Sequence, residues 1–366
     1  MFASLKEYEA PDITRALGSG APLMAPQACL PVLQELDYLF VGTPAKIRAL
    51  TVAGGVMRDG TSVSGAGRNP FAALTRLAGE TAEQLGLRGA MPEPHSEARR
   101  MWEDHPFANG AGWVAASDWT GERNLCVPSA LLPHDADQTA GFSEGLAAHP
   151  DQVAARAHGA MELLERHAVA LWWAGAQMAV SLVGAQVYST ARLGPRLGRA
   201  TLLLDVSCES AVPVVVAASF DSDGGSFCFG AAAGWALDHA ANAALRELGA
   251  AEFGLTLERS RDQPGGGGDS KWSDIVDRQT FETRLVGQEA GIEQQITRYG
   301  TITPHDWKDL MAELEISFVP LGQVGGHFQV AKAVCPNLQS GRETYVTAQL
   351  AQATKGNHRA FEGALY

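Results

Sequence analysis

The chain has 366 residues, 46% of them hydrophobic, with a formal net charge of −13 and a pI near 5.2. That length buries a sizeable core without disulfide or metal staples. The acidic balance excludes a sequence-independent nucleic-acid binder, whose phosphate contacts need clustered Lys and Arg. The five cysteines, Cys29, Cys126, Cys208, Cys228 and Cys335, are scattered and form no CxxC pair. Zinc ligation and a disulfide framework are therefore not expected, and the thiols should be free and buried. The first residues, with Lys6, Glu7 and Glu9, contain no apolar signal core, so a cytoplasmic protein is expected.

Residues 1–54 hold proline-broken pieces and one helical candidate, 28–37, and read as an opening lobe; residues 55–366 read as the main domain. Residues 46–64 alternate around Asp59-Gly60, the pattern of a hairpin, which delivers Ser64 and Gly67 to its far end. A helix over 74–84 follows, with Glu80 and Glu83 at i, i+3 spacing. Prolines 92 and 94 mark a surface loop, and 113–117 with 124–128 read as short paired strands.

Pro150-Asp151 signals the start of a long central helix, just after Ser143 and Gly145. On that helix His158, Glu162 and Glu165 share one narrow sector, while Ala157, Met161, Leu164, Ala168 and Leu171 form an apolar stripe. The polar ridge is bordered by Val169 and Trp172, which places its carboxylates in a half-buried cleft. Two carboxylates there repel one another, so a cation must compensate: Arg166, a divalent metal, or both. An isolated ExxER would otherwise read as a solvated face. The run 167–191 lacks Asp, Glu, Lys and Arg and is long enough to span a bilayer. Its glutamines, Gly175 and Gly184, and its continuity with the carboxylate helix favour a buried helix running into a strand.

Further on, 200–219 contains two β-branched runs that read as central strands of a mixed sheet, with a turn at 221–225 and another strand over 227–233. An alanine-rich helix over 243–252 carries Glu247. The glycine run within 263–269 reads as a loop that is mobile. A helix over 307–314 and strands over 316–320 and 328–334 close the chain. Three helices thus offer carboxylates, and a set of hard oxygen ligands suits Mg²⁺. The chain has no GxxxxGK[ST] loop, no HExxH and no GxSxG. His134, His149 and His167 read as surface or core residues, and Trp172-Trp173 as core.

The order S-x-G-x-A-A (143–148), then H-G-x-x-E-L-x-E-R (158–166), then A-L-W-W (170–173) resembles the YcaO family. Gly65-Ala66-Gly67 before Glu80, and Phe229-Gly230 before Glu247, resemble its other signatures, so the similarity covers about residues 55–340. The resemblance implies an α/β (α+β) fold of mixed sheets packed with helices, binding ATP and Mg²⁺ and activating backbone amides of a ribosomally made peptide. It implies Glu80, Glu83, Glu162, Glu165 and Glu247 as Mg²⁺ ligands, and Ser64, Arg68, Ser143, His158 and Arg166 as nucleotide contacts. The implied reaction is cyclodehydration of Cys, Ser or Thr to an azoline. A thioamide- or amidine-forming enzyme and a catalytically silent scaffold subunit are the alternatives. Implied partners are the precursor peptide, a leader-recognition protein of E1-like type, and a flavin-dependent dehydrogenase, in an oligomeric complex without nucleic acid or membrane. With about fifty residues upstream of the similarity, leader binding is expected to reside in a second protein. The sequence departs from the family where Ala66 replaces a lysine, Gln84 an arginine, Ala250 a glutamine and His167 an aspartate, and no proline-rich tail precedes Tyr366.

Overall fold

The computed structural model describes residues 2–17, 25–44, 47, 49–89, 91–94, 96–104, 108, 112–132, 144–194, 198–207, 212–261, 278–335 and 338. The chain opens with β1 (Phe2–Glu9), α1 (Ala10–Leu17), α2 (Leu30–Leu33) and β2 (Leu36–Pro44), followed by the hairpin β3 (Thr51–Met57) and β4 (Ser62–Gly67) and the helix α3 (Pro70–Leu87). β5 (Arg99–Arg100), β6 (Trp113–Ser117), β7 (Asn124–Pro128) and β8 (Leu146–His149) lead to α4 (Gln152–Trp173). Next come β9 (Ala179–Val183), α5 (Ala185–Leu193), β10 (Arg199–Asp205), β11 (Val214–Asp221), β12 (Cys228–Ala233) and α6 (Leu237–Arg261). The last elements are α7 (Arg278–Leu285), β13 (Val286–Gly291), α8 (Ile292–Tyr299), α9 (Pro304–Glu313), β14 (Ser317–Val324) and β15 (Phe328–Val334).

Three sheets result, ordered β1-β2-β3-β4, β12-β11-β10-β9-β13 and β5-β7-β6-β14-β15-β8. The first is antiparallel throughout, and the other two are mixed, with parallel pairs at β13–β9 and β5–β7. The fold is therefore α/β with mixed sheets, as the sequence led one to expect. No described helix is long and apolar enough to cross a membrane. Asp59-Gly60 does close the β3–β4 hairpin, with Gly60 at φ +88°, and Trp172 and Trp173 are core. Among the described cysteines, Cys29, Cys126, Cys228 and Cys335 are free and buried. Cys208, His134 and the glycine run within 263–269 lie outside the described residues.

One element differs from expectation. Only Leu30–Leu33 of the stretch 28–37 is helical, and from Leu36 the chain becomes strand. Leu36 to Val41 is held between β1 and β3, with Leu36, Leu39 and Val41 buried, and this tertiary pairing overrides the local helical pattern. The boundary expected at residue 54 falls inside β3, which shares its sheet with β1 and β2.

The three long helices are what join the sheets. α3 packs on β3 and β4 of the first sheet and on β8, β14 and β15 of the third; α4 packs on β8 and β15 and on β11 and β12; α6 packs on β11 and β12 and on β4. Each helix bridges two sheets, so all three converge on one central region. Their starts are fixed locally. Asn69 accepts from the Ala72 amide at 2.9 Å ahead of Pro70, and Asp151 accepts from the Ala154 amide at 2.8 Å, satisfying N–H groups that the first helical turn leaves unpaired. The apolar stripe of α4 is buried as its spacing predicts. Its first half packs with Trp307 and Phe318, and its second half with Phe220 and Phe281.

Glycines permit the close approach of strand to helix. A Cβ on Gly65 would stand 2.4 Å from the Leu77 backbone nitrogen, and one on Gly230 2.3 Å from that of Leu248. Because both neighbours are helix backbone, neither strand could stay in place. Gly230→Ala is expected to cost about 1–3 kcal/mol or more through overpacking, read as a lower midpoint in denaturant with an unchanged slope. A midpoint equal to wild type would show that β12 and α6 tolerate separation.

Candidate functional site

The convergence of α3, α4 and α6 leaves a cleft of about 1400 Å³. Glu80 and Glu83 enter it from α3, Glu162 and Glu165 from α4, and Glu247 from α6. Backbone amides anchor most of these carboxylates. The Ser64 amide on β4 donates to Glu80 Oε2 at 2.7 Å, and the Ala148 amide on β8 donates to Glu83 Oε1 at 3.0 Å. The amides of Ala233 and Ala231 on β12 donate to Glu165 and Glu247. Glu162 instead takes Arg166 Nη2 at 3.3 Å, and the same guanidinium lies 3.9 Å from Glu165. Each carboxylate is thus held by the strand its helix packs on, or by the next turn of its own helix, before any ligand arrives.

Five carboxylates in one cleft are electrostatically costly. Burial raises Glu80 to about 7, with Glu162 and Glu247 adding repulsion. Burial likewise raises Glu247 to about 7, offset in part by Arg166. Glu83 and Glu165 are pushed well above the usual carboxylate range by the same two causes. Burial also raises Glu162, although Arg166 and Lys332 pull against it. Glu247 is open to the cleft void yet walled by protein on its other sides, so its solvation is poor despite its exposure. Such a set calls for a cation beyond Arg166.

Among the described residues, no three His, Cys, Asp or Glu side chains close up into a cage for a metal by themselves. The carboxylates are spread around a cavity. That arrangement fits Mg²⁺, which takes one or two carboxylates and completes its octahedron with water and phosphate oxygens.

Of the residues expected at the site, Ser64, Glu80, Glu83, His158, Glu162, Glu165, Arg166 and Glu247 line the cleft. Arg68 is exposed just before the cap of α3, outside the lining but near enough to Arg246 to oppose its charge. Ser143 lies outside the described residues. Sequence reasoning overlooked Arg76 and Arg246 and read His149 as a surface or core residue, whereas all three line the cleft. The ring of His149 sits edge-on to that of His158 at 5.5 Å, and burial together with this neighbour lowers the His158 pKa. Lys332 is buried on β15, donates to the Glu144 carbonyl at 2.7 Å and acts on Glu162. Arg76 precedes Glu80 by one helical turn, and Arg246 adjoins Glu247. Those spacings were visible signals, but they are the same ones that ordinary surface charge pairs produce.

Beyond Glu247 on α6, Ala250, Phe253 and Leu257 continue the lining at one-turn intervals. Phe253 stacks on Phe40 with centroids 6.0 Å apart, giving the cleft an apolar end next to its charged middle.

Comparison with known proteins follows the same line. The family model described as YcaO cyclodehydratase, ATP- and Mg²⁺-binding, matches residues 64–339. No curated protein matches the chain. Among solved structures, the fold is similar to a heterocyclase in complex with substrate and cofactor, at 15% identity and a TM-score of 0.64, over 88% of this chain and 52% of that one. The chain therefore spans about half the length of that heterocyclase. It is also similar to YcaO from Methanopyrus kandleri bound with AMPPCP and Mg²⁺, at 16% identity and a TM-score of 0.61, over 82% of this chain and 85% of that one. A third similar structure is the E. coli microcin synthetase McbBCD complex, at 14% identity and a TM-score of 0.58, over 82% and 88%. With a family model matching residues 64–339, most of its length, this chain belongs to the YcaO family.

Proposed function

We propose that the protein uses ATP and Mg²⁺ to cyclodehydrate Cys, Ser or Thr residues of a ribosomally made precursor peptide, giving azolines. The observation that carries this reading is the convergence of Glu80, Glu83, Glu162, Glu165 and Glu247 from three helices on one cleft with an apolar end. In the reaction, the side-chain sulfur or oxygen adds to the preceding amide carbonyl, and the former carbonyl oxygen attacks the γ-phosphorus of ATP, releasing ADP. Loss of that oxygen with the phosphate, together with the amide proton, leaves the C=N bond of the ring. Phosphorylation is needed because an oxygen leaves poorly as hydroxide and well as phosphate. The carboxylates would hold Mg²⁺, which would supply neutralisation of the phosphate charge. Ser64, His158 and Arg166 are the proposed nucleotide contacts within the lining, with Arg68 at its rim. The apolar wall of Phe40 and Phe253 suits a nucleobase. Leader binding by a second, E1-like protein, and oxidation of the product by a flavin-dependent dehydrogenase, complete the proposed system; the E. coli neighbour is a complex, in one structure with pro-MccB17 bound.

A second reading, a silent scaffold subunit, is favoured by Ala66, Gln84 and Ala250, which all line the cleft where the family resemblance leads one to expect lysine, arginine and glutamine. The two readings part on one experiment. The protein is incubated with precursor peptide, Mg²⁺-ATP and the leader-binding partner, and peptide mass and ADP are followed. Loss of one water per modified residue with matching ADP is expected. Oxygen-to-sulfur exchange would replace the azoline reading by the thioamide one, addition of an amine by the amidine one, and no nucleotide turnover with no heat of Mg²⁺-ATP binding would leave the scaffold.

A further inference from the structure

Two cleft-lining arginines are not used by any role assigned so far. Arg76 projects from α3 and Arg246 from α6, the two helices that flank β4. The Arg76 Nη1 atom donates to the Ala66 carbonyl at 2.9 Å, which holds its guanidinium against the strand end. Arg246 is half-buried, and both Arg76 and the rim residue Arg68 stand close enough to oppose its charge. Neither Arg76 nor Arg246 forms an ion pair among the described residues. The acid both of them feel is Glu247, while Arg166 takes up Glu162 and Glu165 on the α4 side. Two guanidiniums of the lining, with Arg68 at the rim, thus gather at the β4 end beside Glu80 and Glu247, while Arg166 serves the α4 side.

Arg76 and Arg68 are exposed and Arg246 is half-buried; gathered there they repel one another, and with Glu247 as the acid shared by Arg76 and Arg246 a further anion is favoured beside them. A guanidinium tethered through one nitrogen keeps its remaining donors for a tetrahedral oxyanion, the geometry arginine matches best. The anion would lie beside Glu80 and Glu247, carboxylates that would hold Mg²⁺, and Mg²⁺ takes phosphate oxygens as ligands, so a phosphate suits both the arginines and the acids next to them better than a peptide carboxylate.

We propose that Arg76 and Arg246, with Arg68 at the rim, form the cradle for the terminal phosphates of the bound nucleoside triphosphate. This rests on the ATP-dependent reading above and deepens it. The arrangement also answers the departure at residue 66. A cation fixed to the carbonyl of Ala66 serves the place where a lysine side chain at that position would have reached. The chain thus carries its phosphate-facing charge on helices instead of on the strand.

The test is a calorimetric series of adenosine, AMP, Mg²⁺-ADP and Mg²⁺-ATP against wild type, Arg76→Ala, Arg246→Ala and the double variant, each checked for a wild-type thermal melt. Each single change is expected to weaken Mg²⁺-ATP by about tenfold to a hundredfold, with adenosine changed by less than about twofold. Arg76→Lys should recover part of the loss, and Ala66→Lys placed in the Arg76→Ala background should recover more. Equal Mg²⁺-ATP affinity in wild type and the double variant overturns the cradle while leaving ATP dependence standing. A matching loss for adenosine overturns it too, by making the arginines structural. Failure of wild type to bind any nucleotide defeats the functional reading itself, and the cradle with it.

Discussion

Changing Glu162 and Glu165 together to glutamine is expected to lower ATP-dependent turnover by at least about a thousandfold while the protein remains folded. Both carboxylates stand on one face of α4 at the centre of the cleft, and both are held above the usual carboxylate range by burial. Glutamine has nearly the same shape, so the packing of Leu164 in the core and of Met161 beside the carboxylates is untouched. Two opposing terms set stability. Arg166 loses its ionic partners at 3.3 and 3.9 Å, which destabilises a half-buried guanidinium. Repulsion among Glu80, Glu83, Glu162 and Glu247 is relieved, which offsets it. A melt within a few degrees of wild type, together with lost turnover, is the expected pair of results. Undiminished turnover in the double variant would show that these carboxylates do not hold the metal, whatever reaction the protein catalyses.

That experiment targets the part of the site most legible in the sequence. Periodicity alone places His158, Glu162 and Glu165 on one ridge, and α4 bears this out, with its apolar stripe buried and its ridge facing the cleft. The β3–β4 hairpin and the closing pair β14–β15 are equally readable, because their registers are set by local turns and alternation. What a one-dimensional pattern does not carry is which helix faces belong to the same cavity. Arg76 and Arg246 are far apart in sequence, and each beside its own glutamate looks like an ordinary surface pair. They meet because Gly65 and Gly230 let β4 and β12 press onto α3 and α6, a steric fact that emerges only once the sheets are assembled. The N-terminal strands were hidden for a related reason. β2 is set by its two neighbours in the sheet, whereas the stretch leading into it has the apolar spacing of a short helix.

The affinity for Mg²⁺-nucleotide is expected to rise steeply between pH 5.5 and 7.5, and this is the second large effect. Glu80 and Glu247 are each held at about 7, so near pH 5.5 both are mostly protonated in the metal-free fold. A Mg²⁺ ion must displace those protons, and each displaced proton weakens binding by up to about tenfold per pH unit below 7. The stability of the metal-free fold moves in the opposite direction. In the unfolded chain these groups titrate near 4.5, so between 4.5 and 7 the metal-free fold binds more protons than the unfolded chain, and its stability falls as pH rises through that window. His167 works in the opposite sense, since burial lowers it to about 4. Its neutral form is favoured in the fold, and stability from this group grows between about 4 and 6.5. The metal-free melt therefore mixes two trends, whereas the shift in melting temperature on adding Mg²⁺ with a non-hydrolysable ATP analogue cancels the His167 contribution, because His167 is not among the cleft-lining residues. That shift should grow by several degrees from pH 5.5 to 7.5. Protonation of the analogue's own phosphates is common to every variant, so a parallel series on Glu80→Gln isolates the carboxylate. Its plot of log Kd against pH should be shallower than wild type by up to one proton. Identical slopes would mean that the ion displaces no proton from Glu80 and that this carboxylate stands outside the metal's reach.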